Sequence, residues 1–508
     1  MKRIATILLM LVVGSTLAFS QARPNDPGGA NTGNAGDVPA ATAGQPTLAE
    51  LAATAGHNRV AINMMWTLLC GFLVMFMQAG FAMVETGLTQ AKNAAHTFAM
   101  NFLVYPLGML GFYVLGFGLM FGGVGALGTM GSYGGLSHEV TINLFGKSFG
   151  LFGGSGFFLT GSSYDVAVFA LFLFQMVFMD TTATIPTGAM AERWKYSAFV
   201  IYGLCVGSVI YPIFGNWVWG GGWLSRSSVV HMTGGVIALV GAWMIGPRIG
   251  KFRKDGTPNA IPAHSIPMAM IGTFILAFGW FGFNPGSTLA GTDLRIAVVA
   301  VNTMLASATG AFAATLWMWL VRTGKPDPSM MCNGMLAGLV AITAPCAFVT
   351  APAACLIGLI AGILVVEAAF FIEGKLKVDD PVGAIAVHGV NGAWGVLSLG
   401  LLADGTYGDG FNGVPGTVTG LFYGNASQFF AECIGVASNF VINAILAFIV
   451  FKLIDIVVGL RVKADVEVDG LDLPEMGVPG YVGVSDHLAP ELAKAHNIVG
   501  APVVAEGR

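Results

Sequence analysis

The sequence predicts an all-α integral membrane protein of about eleven transmembrane helices, arranged as an inverted five-helix repeat plus one extra helix. Three observations carry this: the composition, the spacing of the apolar stretches, and two matching Val-His motifs half a chain apart. Of the 508 residues, 55% are hydrophobic and only 10% charged, more apolar side chain than a water-soluble domain can keep from solvent. The formal net charge of −4 comes from scattered residues, so no nucleic-acid surface is indicated.

Lys2 and Arg3 precede the apolar run Ile4 to Val13 and then Ala18-Phe-Ser20, which predicts a signal peptide over residues 1–20. Residues 21–57, rich in Gly, Ala, Pro and Asn as far as Gln45, read as a flexible extracytoplasmic leader. Residues 58–460 form the predicted transmembrane domain. Its apolar stretches lie near 60–88, 97–121, 165–191, 197–220, 228–246, 266–285, 295–321, 331–347, 352–373, 382–402 and 428–459. Residues 461–508 are left as a cytoplasmic tail.

With the amino terminus outside, alternate loops hold Lys92, Arg193, Lys195, Arg248, Lys251, Arg253, Lys254, Arg322, Lys325, Lys375, Lys377, Arg461 and Lys463. The opposite loops hold only Lys147, Arg226 and Arg295. This asymmetry predicts a multi-pass protein of the bacterial inner membrane with its carboxyl terminus in the cytoplasm. The six cysteines have no metal-ligand spacing and read as small core residues, although Cys346 and Cys355 flank a short loop.

The fifth predicted helix contains Val230-His231-Met-Thr-Gly-Gly235 and the tenth Val387-His388-Gly-Val-Asn-Gly392. Five helices per half is an odd number, so the second half enters the membrane from the opposite side. Inverted repeats bring equivalent positions together near the midplane, where transporters hold substrate. An intramembrane imidazole is costly when charged and needs a partner when neutral. Either histidine alone could be satisfied by a helix backbone. Two at equivalent positions suit a shared Nδ1 hydrogen bond, which leaves the other nitrogens for a small neutral polar molecule. Asp180, inside an apolar helix, is expected to make a structural hydrogen bond; Glu85 and Glu367 are open between support and a pore role.

Other segments then become informative by their order: Ala91-Lys-Asn93, Phe174-Gln-Met-Val-Phe178, Ala191-Glu-Arg193, Val218-Trp-Gly-Gly-Gly222, Gly279-Trp-Phe-Gly-Phe-Asn284 and Asp379-Asp-Pro381. With the two histidine motifs they resemble the Amt/Mep/Rh ammonium transporter family, bacterial Amt type, over roughly residues 58–480. The resemblance implies a homotrimer with one pore per subunit, with His231 and His388 as the paired pore histidines. It further implies an outer recruitment site of Trp219, Phe178 and Ser287, a gate made by the rings of Phe178 and Phe283, and supporting residues Phe174, Trp280 and Asp180. Aromatic faces compensate a partly dehydrated cation by about 0.5–2 kcal/mol per contact. Read singly, Trp219 also suits an interfacial belt, the phenylalanines ordinary packing, and Ser287 a turn.

The segment from Arg461 to Gly477 resembles the family's tail, on which signalling proteins of the PII type dock. One departure stands out. Members carry an Asp-Phe-Ala-Gly-like element before the histidine of helix five, whereas no acidic residue lies between Trp219 and His231 here. Ser227 or Ser228 could cap the helix in its place without supplying charge. The implied activity is ammonium transport without cofactor or enzymatic chemistry, the alternative being an ammonium sensor acting through a cytoplasmic partner. Gly123-Val-Gly125-Ala-Leu-Gly128 fits a dinucleotide fingerprint, but it follows a membrane helix instead of a strand.

Overall fold

A computed structural model describes residues 46–131, 134–224, 229–406 and 416–481. The signal peptide, the leader up to residue 45, Ser227, Ser228, Arg226 and the end of the tail lie outside the described residues. Among those described, nine helices are long and apolar enough to cross a membrane. They are α1 (Pro46–Leu88), α2 (Ala91–Phe121), α3 (Val166–Ala189), α4 (Tyr196–Trp219), α6 (Ile266–Thr288), α7 (Ile296–Arg322), α9 (Ala351–Leu376), α10 (Ile385–Leu402) and α11 (Ala426–Val458). Two shorter apolar helices, α5 (Val230–Ile245) and α8 (Pro328–Thr343), complete the bundle. Each of the predicted stretches falls on one of these helices. The two short ones have 16 residues each; that is about 24 Å of helix, less than the roughly 30 Å hydrocarbon core.

Residues 46–57, expected in the leader, are instead the first turns of α1, a helix of 43 residues. Thr47-Leu-Ala-Glu-Leu-Ala-Ala is rich in strong helix formers. Adding turns to an existing helix needs no new nucleus, so the polar end propagates beyond the apolar stretch.

The helices that open the two halves, α1 and α6, lie against each other, and so do the two that close them, α5 and α10. The second contact depends on glycine. A Cβ on Gly235 would lie 2.1 Å from the backbone nitrogen of Gly389, and one on Gly392 would lie 2.9 Å from that of Met232. Backbones can approach this closely only without side chains, and the approach sets the spacing of the two histidine-bearing turns.

One face of the bundle carries an antiparallel hairpin, β1 (Glu139–Leu144) and β2 (Lys147–Gly153), inserted between α2 and α3. It is tied to α4 by Trp217, whose Nε1 donates to the Leu151 carbonyl at 3.0 Å. The opposite face carries the tail. Asp472 accepts from the backbone nitrogens of Ala95 at 3.1 Å and His96 at 2.9 Å, at the start of α2. Glu475 accepts from the Tyr196 nitrogen at 2.8 Å, at the start of α4. Carboxylates there satisfy otherwise orphaned N–H groups and favour the helix dipole. Glu467 accepts from the Ile249 nitrogen at 2.7 Å, and Lys92 donates to the Glu467 and Val468 carbonyls. The described part of the tail is therefore a folded strap across three interhelical loops.

Between those loops lies a buried ion cluster. Arg248 pairs with Glu192 and, at 2.8 Å, with Asp379. Burial works to raise both carboxyl pKa values, but the Arg248 charge and its hydrogen bonds outweigh it and hold both below the usual carboxylate range. Burial also pulls the neighbouring Arg193 guanidinium down to about 10. Arg193 donates to the Asp379 carbonyl at 2.8 Å.

Candidate functional site

His231 occupies the first turn of α5, and His388 a wide turn near the start of α10. Across the glycine crossing their Nδ1 atoms are 3.2 Å apart, with ring centroids 5.3 Å apart and planes inclined by 21°. One ring must donate and the other accept, so at least the accepting ring is neutral in this arrangement. His231 is 1% exposed, and its Nε2 has no hydrogen-bond partner. A buried ring nitrogen in that condition is open to a small polar molecule.

The rings continue from this pair in both directions. Phe283 stacks on His231 at 5.1 Å, Phe178 on Phe283 at 4.1 Å, and Trp219 meets Phe178 edge-on at 6.2 Å. Phe174 backs Phe178 at 4.6 Å. Trp280 lies 5.2 Å from the His231 ring and is fixed by its Nε1 donating to the Thr343 hydroxyl at 3.0 Å. The Ser287 hydroxyl donates to the Phe283 carbonyl at 2.7 Å, which leaves its oxygen lone pairs as acceptors. Trp219, Phe178, Phe283, His231 and His388 are thus one continuous column from the hairpin face into the bundle.

Phe81 extends the column on the other side of the pair, 6.1 Å from His388, and sequence reasoning missed it. The available signal was the repeat. Gly80-Phe81 in α1 matches Gly282-Phe283 in α6, so each half places a Gly-Phe pair next to the histidines.

Asp180 stands apart from the column. It is 2% exposed, and its Oδ1 makes no hydrogen bond, so the bond expected for it is not made at that oxygen. Glu85, by contrast, is fully engaged in support. Its Oε2 accepts from Asn101 and from Thr187, each at 2.6 Å. Glu367 pairs with Arg322 and accepts from the Trp317 indole at the far end of α7 and α9. All six cysteines are free.

Comparison with known proteins identifies the family. The model of the Ammonium Transporter Family matches residues 65–481. An ammonium transporter, Amt2 of Archaeoglobus fulgidus, is 44% identical over 443 residues, covering 84% of this chain and 89% of that one. An ammonium transporter of Bacillus subtilis is 32% identical over 426 residues, covering 81% and 96%. Among solved structures, one named Sensor Amt Protein superposes with a TM-score of 0.71 at 36% identity over 82% of this chain and 99% of that one. Saccharomyces cerevisiae Mep2, at 24% identity and a TM-score of 0.68 over 80% of this chain and 88% of that one, shares the fold. The chain belongs to the Ammonium Transporter Family.

Proposed function

We propose that the chain takes up ammonium at Trp219, Phe178 and Ser287, removes its proton near Phe178, and passes ammonia along His231 and His388. The observation that carries this reading is the unbroken column of rings with a hydrogen-bonded histidine pair at its centre. Stacked Phe178 and Phe283 leave no room for a hydrated ion, whereas ammonium can trade water for aromatic faces and the Ser287 lone pairs. Beyond them the histidine nitrogens offer single hydrogen bonds, which suit ammonia better than a bare cation. Potassium has no proton to give up and no directed hydrogen bonds to donate.

The Lys/Arg asymmetry supports a hairpin face outside the cell and a tail face in the cytoplasm of a bacterial inner membrane. The family resemblance is what suggests three subunits, each with its own pore. Reconstituted liposomes test the transport reading. Methylammonium uptake and an ammonium-dependent current should both exceed those of protein-free vesicles; neither doing so defeats it.

A second reading, an ammonium sensor, is favoured by the likeness to the structure named Sensor Amt Protein and by the strapped tail, which could report pore occupancy to a partner. A PII-type signalling protein is the partner that the tail's resemblance suggests. Pull-down with the full chain across nucleotide and 2-oxoglutarate conditions should retain it; no retention under any of them removes this partner.

A further inference from the structure

We propose that Glu139, Asn216 and the backbone at Gly222 form a monovalent-cation site that gathers ammonium one helical turn from Trp219. The site deepens the transport reading and rests on it for the identity of the cation.

Two oxygens lead to it. Asn216 is fully buried in α4, and its amide nitrogen donates to the Met120 carbonyl at 3.0 Å and to Glu139 Oε2 at 3.1 Å. Its other atom, Oδ1, is buried without a partner, and so is the second carboxylate oxygen, Glu139 Oε1. Buried acceptors left unpaired cost free energy unless water or an ion completes them.

Both oxygens are packed closely against glycines. A Cβ on Gly150 would stand 2.8 Å from Glu139 Oε1 and 2.9 Å from the Gly222 Cα, while one on Gly222 would stand 2.8 Å from Asn216 Oδ1. The two unpaired acceptors therefore lie on either side of Gly222, three residues beyond Trp219 in a segment that has no acidic residue before His231.

Charge and donor count select the ligand. One carboxylate and one amide oxygen balance a single positive charge and satisfy two of the four N–H donors of ammonium. A calcium ion takes six to eight oxygens, and no second carboxylate is found here. Burial pushes the Glu139 pKa up, against the Asn216 hydrogen bond and the neighbouring His138, and a cation beside it would pull it back down. The carboxylate that the Trp219 to His231 segment lacks is thus supplied by the hairpin.

Two variants of the full chain test the site. Glu139→Gln should raise the half-saturating ammonium concentration for uptake about three- to tenfold, more than it lowers the maximum rate. Asn216→Asp adds charge at the same place and should shift half-saturation the opposite way. Half-saturation at the wild-type value in both variants overturns the proposal, since water alone would then fill the space. If the wild type transports nothing, the transport reading fails by itself. The site is then judged by thermal melting in detergent, where ammonium chloride should stabilise the wild type over equal sodium chloride and Glu139→Gln should lose the difference; no difference in the wild type overturns the site.

Discussion

Replacing His231 and His388 together by leucine should leave a folded protein whose methylammonium uptake falls about 10- to 30-fold. The two rings provide polar groups in the column between Phe283 on one side and Phe81 on the other. Two hydrogen bonds of about 1 kcal/mol each, lost at the barrier, correspond to a rate change of that size. The fold should survive because the two histidines bond each other across the crossing and leucine has a similar volume. What holds α5 against α10 is the glycine contact at Gly235 and Gly389, which the substitution leaves alone. His231→Glu alone should behave differently, since a carboxylate can compensate a dehydrated metal ion and potassium would then inhibit or pass. Parallel uptake, potassium flux and detergent melting curves separate these outcomes. Wild-type uptake and selectivity in both variants would reduce the histidines to packing residues.

The pore was legible because its signals are strong in one dimension. A bilayer demands long apolar stretches, so the apolar part of each helix could be placed, though not the polar start of α1, and an intramembrane histidine is rare enough to be noticed. Phe81 was not legible singly among 36 phenylalanines, because nothing in its neighbours distinguishes a ring facing a histidine from one facing lipid. The hairpin was hidden for another reason. Val140, Ile142 and Leu144 alternate as a strand should, but six residues between membrane helices read as loop until the partner strand is seen. Glu139 could therefore not be joined to Asn216, 77 positions away. The buried partners of Glu85 and Arg248 come from four different loops or helices, and such long-range pairing leaves no periodicity in sequence.

The second large effect is expected at Arg248. Arg248→Ala should destabilise the protein by about 3–5 kcal/mol, because it strips the counter-charge from two buried carboxylates at once. Glu192 would keep its bonds from the Gln90 backbone and side chain, but Asp379 would lose both guanidinium contacts and keep only the bond from the backbone nitrogen at 248. Arg193, bonded to the Asp379 carbonyl, is too committed to backbone oxygens of Gly246, Ala191 and Ala189 to replace it. Adding Asp379→Asn should recover part of the loss, since a neutral amide tolerates burial where an unpaired carboxylate does not. Acid provides an independent check. Both carboxyls have folded pKa values below their unfolded ones, so in this range the unfolded chain binds more protons. Their stabilisation is then complete above the unfolded values of about 4 and drains as pH falls from there through the folded values. Melting of the detergent-solubilised wild type should drop between about pH 5 and pH 3, and Asp379→Asn should flatten that drop. An Arg248→Ala protein that melts with the wild type at neutral pH would mean that water already screens the cluster.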